Sequence, residues 1–178
     1  LGVDTKIIQL AISKMKPVEG RYNVINTNNG SVVIDFAHTP DGLENILKSI
    51  RQTSNAKIVT VFGCGGNRDN KKRPIMGAIA EKYSDFCFVT TDNPRFENPD
   101  LIAEDILDGM KNKDVVVVEN DRKKAIMLAL EKLDKNTIVA VCGKGGEKYQ
   151  DINGVMSPFN DVTIVKDCLK ELGFKILK

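Results

Sequence analysis

Short apolar runs alternate with longer amphipathic segments through most of the chain. The runs 57–62, 86–90 and 138–142 are dominated by valine, isoleucine, phenylalanine and other apolar residues. Strands that are buried on both faces have this composition in parallel sheets with helices on each side. The pattern predicts an α/β protein with a Rossmann-like, mostly parallel sheet flanked by helices.

The same periodicities predict the individual elements. An N-terminal antiparallel hairpin is expected from 22–25 and 31–36, because Asn29-Gly30 between them favours the positive φ angles of a tight turn. A second, smaller hairpin is expected over 150–156 around Asn153-Gly154. A helix is expected over 4–15 behind an Asp4 cap, and it is broken by the segment from Pro17 to Gly20. The other predicted elements are strands at 57–62, 86–90, 115–118 and 138–142, and helices at 40–53, 74–83, 99–110, 122–133 and about 161–172.

Composition excludes several classes of protein. The chain has 178 residues, enough for one domain, and its 26 basic and 24 acidic residues argue against a nucleic-acid clamp or a disordered polyelectrolyte. The apolar runs are shorter than a membrane span, so no membrane partner is expected. The four cysteines are widely separated and only one histidine is present, so the interpretation is reduced, buried thiols without a metal site. A cytoplasmic protein is expected.

Candidate chemistry lies in the loops that follow the predicted strands. In a parallel sheet the ligand site lies beyond the carboxyl ends of the strands, where helix N-termini direct their amide groups at anions. The loops to consider are therefore 35–41, 63–74, 91–99, 119–122 and 143–147.

Two of these loops carry cations. The loop 63–74 begins with three glycines in four positions and ends with basic residues, which predicts either an anion cradle or a solvated basic loop. The loop 91–99 holds Arg95 between two prolines, so its guanidinium either forks a carboxylate or forms a surface ion pair. Arg73 is a second candidate for a carboxylate.

Two further loops carry mixed chemistry. In Gly143-Lys-Gly-Gly-Glu147, the carboxylate of Glu147 is suited to an ammonium group, so these loops together would suit an amino acid. Asp35 and His38 precede a helix start, where they either bind ribose hydroxyls or phosphate, or form a structural pair in a turn.

Taken together, the motifs resemble the C-terminal domain of the Mur ligases, and within that family the branch that adds the third residue of the peptidoglycan stem. Asp92-Asn-Pro-Arg95 is the most specific of them. The resemblance covers the chain after Gly20 and is carried by Gly20-Arg21, Asp35-Phe-Ala-His-Thr-Pro-Asp41, Val61-Phe-Gly-Cys-Gly-Gly-Asn-Arg-Asp69, Lys72-Arg-Pro74, Asp92-Asn-Pro-Arg95, Gly143-Lys-Gly-Gly-Glu147 and Phe159-Asn-Asp161.

The resemblance implies an ATP-dependent amide-forming ligase that joins meso-diaminopimelate to UDP-N-acetylmuramoyl-L-alanyl-D-glutamate. It implies nucleotide contacts from Arg21, Asp35 and His38, and further anion contacts from Arg68 and Lys144. The residues that would hold the diamino acid are Arg73, Asp92, Asn93, Pro94, Arg95, Gly143 and Glu147.

Two departures from the family pattern stand out. Gly146 replaces the histidine of the usual Gly-Lys-Gly-His-Glu loop, which leaves room for lanthionine or a relaxed preference that admits lysine. The chain also lacks the Gly-Lys-Thr phosphate loop and the magnesium ligands of the family's central domain, and it begins at Leu1 rather than at methionine. We therefore expect residues 1–19 to be the tail of a missing central ATPase domain plus a linker, and residues 20–178 to be the C-terminal domain. No catalytic residue is expected within this chain, and ATP and Mg²⁺ would be bound mainly by the missing part.

Two alternatives remain at this point. One is another ligase of the same superfamily, such as cyanophycin synthetase or folylpolyglutamate synthase. The other is a non-catalytic module that binds a nucleotide or an amino acid.

Overall fold

The structure is a computed structural model that describes residues 2–15 and 18–177. In this part of the chain a six-stranded sheet has the order β1-β2-β6-β3-β4-β5, and a separate two-stranded sheet pairs β7 with β8. The strands are β1 (Asn23–Thr27), β2 (Gly30–Asp35), β3 (Lys57–Phe62), β4 (Phe86–Val89), β5 (Val116–Val118), β6 (Thr137–Cys142), β7 (Tyr149–Ile152) and β8 (Val155–Pro158). The helices are α1 (Thr5–Lys14), α2 (Pro40–Thr53), α3 (Lys72–Tyr83), α4 (Pro99–Leu107), α5 (Arg122–Leu130) and α6 (Asp161–Glu171).

The predicted α/β architecture is confirmed. β1 and β2 form the antiparallel hairpin, and β2, β6, β3, β4 and β5 are parallel to their neighbours. The helices α2, α3 and α4 cover one face of the sheet around Leu47, Met76 and Ile106. The helices α5 and α6 cover the other face around Ile126 and Val165. Both faces are therefore buried, as the continuous apolar runs predicted.

Most helix starts follow the capping chemistry of the sequence. Thr39 accepts from the Gly42 amide ahead of α2, and Asn98 accepts from the Asp100 amide ahead of α4. Asp121 and Asn160 cap α5 and α6 in the same way. These caps satisfy amide groups that the first helical turn leaves without partners. They also fix the helix starts, and with them the loops, at the carboxyl edge of the sheet.

Several boundaries differ from the predicted ones. The helices α4 and α5 end at Leu107 and Leu130, before the predicted 110 and 133. In the first hairpin only Gly30 has a positive φ, 120°, so Asn29 does not share the conformation expected of an Asn-Gly turn. In the second hairpin both Asn153 (φ 52°) and Gly154 (φ 77°) adopt it, as predicted.

The N-terminal helix α1 forms where predicted, with the Asp4 side chain accepting from the Lys6 amide. None of its residues is buried, and its apolar side chains, including Ile7, Ile8 and Ile12, are exposed. Part of the predicted break, Pro17, lies outside the described residues, as do Leu1 and Lys178 at the ends of the predicted domains.

Candidate functional site

A cavity of about 520 Å³ opens at the carboxyl edge of the sheet. It brings together residues from four of the loops singled out in the sequence, because the parallel strands all end at this edge. Five of the predicted site residues line it: His38, Arg68, Asp92, Gly143 and Glu147. Phe36, Thr39, Pro40, Gly65, Asp69, Lys71, Lys72 and Ile75 complete the lining.

Asp92 is the buried acid of this cavity. Asp92 is 7% exposed, and neither of its carboxylate oxygens accepts a hydrogen bond from any part of the chain that the structure describes. Burial raises the pKa of Asp92, and the positive charges of Arg122 and Lys144 oppose the rise. A buried carboxylate without an internal donor is costly, so the arrangement favours a ligand that carries a positive charge.

A polar cluster of Asp92, Asn93, Lys144 and Glu147 surrounds that acid. The fully buried Lys144 ammonium donates to Asn93 Oδ1 and to Glu147 Oε2, both at 2.9 Å, and Asn93 Nδ2 donates to the same Glu147 oxygen at 3.0 Å. These bonds lock the Glu147 side chain. Its other oxygen, Oε1, accepts no hydrogen bond within the described residues and remains suited to an ammonium group.

Arg95 is held on its loop by backbone contacts. It has a positive φ of 53°, its amide donates to the Asp151 carbonyl, and its carbonyl accepts from the Asn153 amide. Its Nη1 donates to the Gly66 carbonyl at 2.8 Å, and its Nε lies 3.9 Å from Asp151 Oδ2. Within the described ranges, 2–15 and 18–177, no acceptor lies against Nη2. The guanidinium is thus partly engaged and fixed in place, with one edge left for a ligand.

The guanidinium of Arg73 is already paired with carboxylates of the protein. Its side chain is buried, with Nη1 donating to Asp105 at 2.8 Å and Nη2 donating to Glu97 at 2.7 Å. Nη2 also lies 3.4 Å from the Gly65 carbonyl, at the cavity wall. Two carboxylates therefore balance its charge, and they tie helix α3 to the loop that follows β4 through Glu97 and to helix α4 through Asp105.

The glycines of the 63–74 loop serve a purpose that the sequence did not indicate. A Cβ at Gly63 would lie 1.9 Å from the Thr90 carbonyl oxygen, and one at Gly66 would lie 1.9 Å from the Pro94 carbonyl oxygen. The Gly66 amide donates to the Asn93 carbonyl. These glycines allow two loops to pack backbone against backbone, so the cradle hypothesis does not describe their contacts. The cationic half of the loop does face the cavity.

The outer edge, formed by Arg21, Asp35 and His38, is built more openly. Arg21 is exposed and stacks over the Phe36 ring at 4.2 Å. The Asp35 carboxylate accepts from the amides of Tyr22 and Ala37 at 2.7 and 2.8 Å, and exposed His38 contacts the Phe36 carbonyl through Nδ1 at 2.9 Å. Of the three, only His38 lines the main cavity, and Asp35 lines a smaller one with Tyr22 and Gly42.

Close glycine packing joins the outer edge to the polar cluster. A Cβ at Gly20 would lie 2.0 Å from the Gly146 amide nitrogen, and one at Gly145 would lie 2.4 Å from the Gly20 carbonyl oxygen. A Cβ at Gly146 would lie 2.6 Å from the Glu19 carbonyl oxygen. The side chain that position 146 lacks would therefore meet residue 19.

Several residues that support the site have no role predicted from the sequence. Gln150 Nε2 donates to the Asp92 carbonyl at 2.9 Å, and the Asp151 amide donates to Asn93 Oδ1 at 3.0 Å. Arg122 and Asp161 form a buried ion pair beneath the cavity. The second hairpin was recognisable from its Asn-Gly turn, but no signal in the sequence indicated that it packs against residues 92–95.

The four cysteines belong to the hydrophobic core. All four cysteines are free and buried, as predicted, and burial raises the pKa of Cys64 and of Cys87 to about 12. Within residues 2–15 and 18–177, no group of three or more His, Cys, Asp or Glu side chains is placed to hold a metal ion. No helix in the same ranges combines the length and hydrophobicity needed to span a membrane.

Comparison with known proteins gives a consistent result. The family described as "Mur ligase, glutamate ligase domain" matches residues 20–145. A relative from Aquifex aeolicus (strain VF5), named UDP-N-acetylmuramoyl-L-alanyl-D-glutamate--2,6-diaminopimelate ligase, is 49% identical over 94% of this chain and 35% of its own length. A relative of the same name from Clostridioides difficile (strain 630) is 44% identical over 97% of this chain and 36% of its own length. The chain thus spans about a third of the length of the curated relatives it matches.

Solved structures show the same relationship. A structure described as that of UDP-N-acetylmuramoyl-L-alanyl-D-glutamate--2,6-diaminopimelate ligase superposes with a TM-score of 0.82 at 35% identity, covering 97% of this chain and 36% of that chain. The Mycobacterium tuberculosis folylpolyglutamate synthase complexed with ADP and AMPPCP has a TM-score of 0.64 at 20% identity, covering 80% of this chain and 33% of that chain. The second likeness shows a shared fold only.

Proposed function

The chain belongs to the Mur ligase family, and we propose that it forms the amino-acid-binding and ATP-covering domain of a ligase that adds meso-diaminopimelate to UDP-N-acetylmuramoyl-L-alanyl-D-glutamate. The relatives at 49% and 44% identity carry the name of that activity. The proposal includes a role in peptidoglycan synthesis and a cytoplasmic location, where four buried thiols would stay reduced.

The proposed reaction has two steps. A carboxylate oxygen of the D-glutamate attacks the terminal phosphorus of ATP, so that ADP leaves and an acyl phosphate forms. One amine of the diamino acid, in its neutral form, then attacks the acyl carbon, phosphate leaves and the nitrogen loses a proton. The role of this domain is to hold the diamino acid by its far end, so that the near amine faces the acyl carbon.

The polar cluster and Arg95 match the far end of meso-diaminopimelate. Asp92 and the unpaired oxygen of Glu147 are suited to its ammonium group, and the open edge of Arg95 is suited to the carboxylate on the same carbon. Asn93 and Lys144 hold Glu147 in position, and Pro94 and Gly143 shape the loops. Arg73, for which the resemblance implies a direct contact, would act from the cavity wall beside Gly65.

We propose that the outer edge covers the nucleotide. Arg21 would approach the phosphates, Asp35 and His38 would approach the ribose, and exposed Arg68 at the cavity rim would be a further anion contact. ATP is a substrate here. The described residues do not fit a magnesium site, so no step assigned to this domain involves the metal.

The domain proposal follows from the same family membership. Residues 1–19 would belong to a central ATPase domain and a linker, and residues 20–178 would be the C-terminal domain. The exposed apolar face of α1 is consistent with a helix that packs against another domain. Alone, the chain would bind and position the substrate but would not catalyse ligation.

One observation carries the proposal: an unpaired buried acid and a locked glutamate line one cavity, and a fixed arginine lies against Gly65 and Gly66 beside it. The test is ligation by the complete enzyme with ATP and the nucleotide dipeptide, offering meso-diaminopimelate, lanthionine, L-lysine or L-glutamate as the amine. We expect kcat/KM for meso-diaminopimelate to exceed that for lysine by about tenfold or more, since lysine lacks the second carboxylate. A preference for glutamate or lysine, or turnover by the isolated chain at the level of the complete enzyme, would contradict the proposal.

A further inference from the structure

A buried ion pair between Arg122 and Asp161 lies beneath the cavity, and the proposed function gives it no role. Arg122 is the first residue of α5 and Asp161 is the first residue of α6, and both side chains are fully buried. Arg122 Nε donates to Asp161 Oδ1 at 2.9 Å, and its Nη2 donates to Asp161 Oδ2 at 2.7 Å. The two carboxylate oxygens and two guanidinium nitrogens therefore form a bidentate pair.

The pair is attached to the strand that leads into the site. Arg122 Nη2 also donates to the carbonyl of Cys142 at 3.0 Å, and Cys142 is the last residue of β6. The next residue, Gly143, turns with a φ of 117° into the loop that carries Lys144 and Glu147. Arg122 therefore fixes the point at which this loop leaves the sheet.

Gly143 is also what separates Arg122 from Asp92. A Cβ at Gly143 would lie 2.7 Å from Asp92 Oδ2 and 3.9 Å from Arg122 Nη2. Only backbone atoms fill this space, so the guanidinium and the carboxylate face each other across a residue without a side chain. The charge of Arg122 therefore acts on Asp92 over a short distance, with no side chain at position 143 between them.

A contribution to folding stability does not by itself explain a buried ion pair of this kind. A buried pair of opposite charges gains little over well-packed apolar residues of the same volume, because both ions lose their hydration. Here one guanidinium nitrogen, Nη1, is buried without any partner in the described part of the chain, which adds to the cost. The pair is better explained by what it does for its neighbours.

We propose that Arg122, held by Asp161, is a positioning residue for the amino-acid site. It fixes the start of the Gly143 loop and presents a positive charge to Asp92. Asp92 therefore stays an anion and can bind the ammonium group of the diamino acid. This inference rests on the proposed function. The charged and titratable groups that act on Asp92 from the surrounding elements are Arg122 from α5, Asp161 from α6, Lys144 and Glu147 from the loop after β6, and Cys64 from the loop after β3. The same cavity is also lined by His38, Arg68, Asp69, Lys71 and Lys72.

The test uses steady-state kinetics of the complete ligase over a range of pH. In the variant Arg122→Met/Asp161→Leu, we expect the KM for meso-diaminopimelate to rise about tenfold or more, while the KM for ATP stays within about twofold. We also expect the acid limb of the kcat/KM profile to move to higher pH. Asp92 would then lack the opposing positive charge. The matched control Arg51→Met/Asp85→Asn removes the ion pair at 2.6 Å between α2 and the start of β4, and should leave both KM values and the pH profile unchanged.

A second variant keeps the inference testable if the first one does not fold. Asp161→Asn retains Arg122 and removes its counter-charge, so the acid limb should move to lower pH, opposite to the first variant. Asp92→Asn identifies the limb, because the part of it that depends on Arg122 should disappear. A purely structural pair would not produce shifts of opposite sign.

The outcomes separate the two proposals. A wild-type ligase that does not use meso-diaminopimelate refutes the proposed function and this inference with it. An active wild type whose variants keep the wild-type acid limb, or raise both KM values in proportion, overturns the inference and leaves the proposed function standing.

Discussion

The polar cluster and the outer edge lie at the same end of the sheet, yet they are built in different ways. In the polar cluster, Lys144 is fully buried and shares its ammonium between Asn93 and Glu147. At the outer edge, Arg21 and His38 are exposed and contact mainly Phe36. The first region is organised before a ligand arrives, whereas the second presents exposed side chains, which another domain would complete under the proposed function. This difference is what we expect of a domain that holds the amino acid itself and covers a nucleotide bound mainly elsewhere.

The largest expected effect is the loss of the Lys144 charge. Lys144→Met would leave Glu147 and Asn93 without their shared donor in a buried setting, at a cost of about 3 kcal/mol, or roughly 6–12 °C in Tm. Thermal unfolding of the chain followed by circular dichroism measures it. The matched control is Lys148→Met in the same loop, whose exposed ammonium pairs with Glu19 at 3.3 Å, and it should change Tm little. Equal Tm values for the two variants would mean that the cluster is not preorganised.

The next effect concerns Arg95. Arg95→Ala in the complete ligase should lower kcat/KM for meso-diaminopimelate about tenfold or more, since a charge-assisted hydrogen bond contributes over ~1.4 kcal/mol. The control is the substrate: kcat/KM for L-lysine, which has no distal carboxylate, should change much less. The same relative loss for both amines would show that Arg95 supports the loop and does not read the carboxylate.

Asp92, which we propose as a contact for the ammonium group, should reduce the stability of the folded chain. Because burial raises its pKa, the folded state disfavours the carboxylate, and this cost is fully present above the folded pKa and disappears as the pH falls below the ordinary range of an aspartate. Asp92→Asn should therefore raise Tm at pH 7 to 8, by an amount that shrinks toward pH 4, measured by thermal unfolding of the chain. A Tm difference that does not depend on pH, or an Asp92→Asn protein less stable than wild type at pH 8, would contradict the described environment of Asp92.

The smallest expected effect on stability belongs to the outer edge. Arg21→Ala should change the free energy of unfolding by less than about 0.5 kcal/mol, because its guanidinium is exposed. In the complete ligase it should raise the KM for ATP and leave the KM for meso-diaminopimelate unchanged. A rise in the KM for meso-diaminopimelate instead would place Arg21 with the polar cluster and remove the distinction between the two regions.

Much of the fold could be predicted from the chain because its signals are local. Helix α2 begins at Pro40 behind Thr39 as the capping pattern predicted, and the Asn153-Gly154 turn has the expected positive φ angles. The loops of the site were also predictable, since they follow the carboxyl ends of parallel strands.

The partners of the site residues could not be predicted, because they are set by contacts between distant segments. Arg73 gave no sign that Glu97 and Asp105 would bury and neutralise it. The sequence around Gly66 predicted an anion-binding loop. The structure shows instead that Gly66 allows the Pro94 carbonyl to pack against its backbone. The absence of a side chain at Gly146 predicted a wider amino-acid pocket, but in the structure this position faces the Glu19 carbonyl.

A crystal structure of the complete ligase with meso-diaminopimelate bound would test the proposed amino-acid site directly. We predict that the distal carboxylate lies on the guanidinium of Arg95 and that the adjacent ammonium group contacts Asp92 and Glu147. A ligand bound away from the polar cluster, or an Arg95 side chain turned to bulk solvent in that complex, would contradict the central claim.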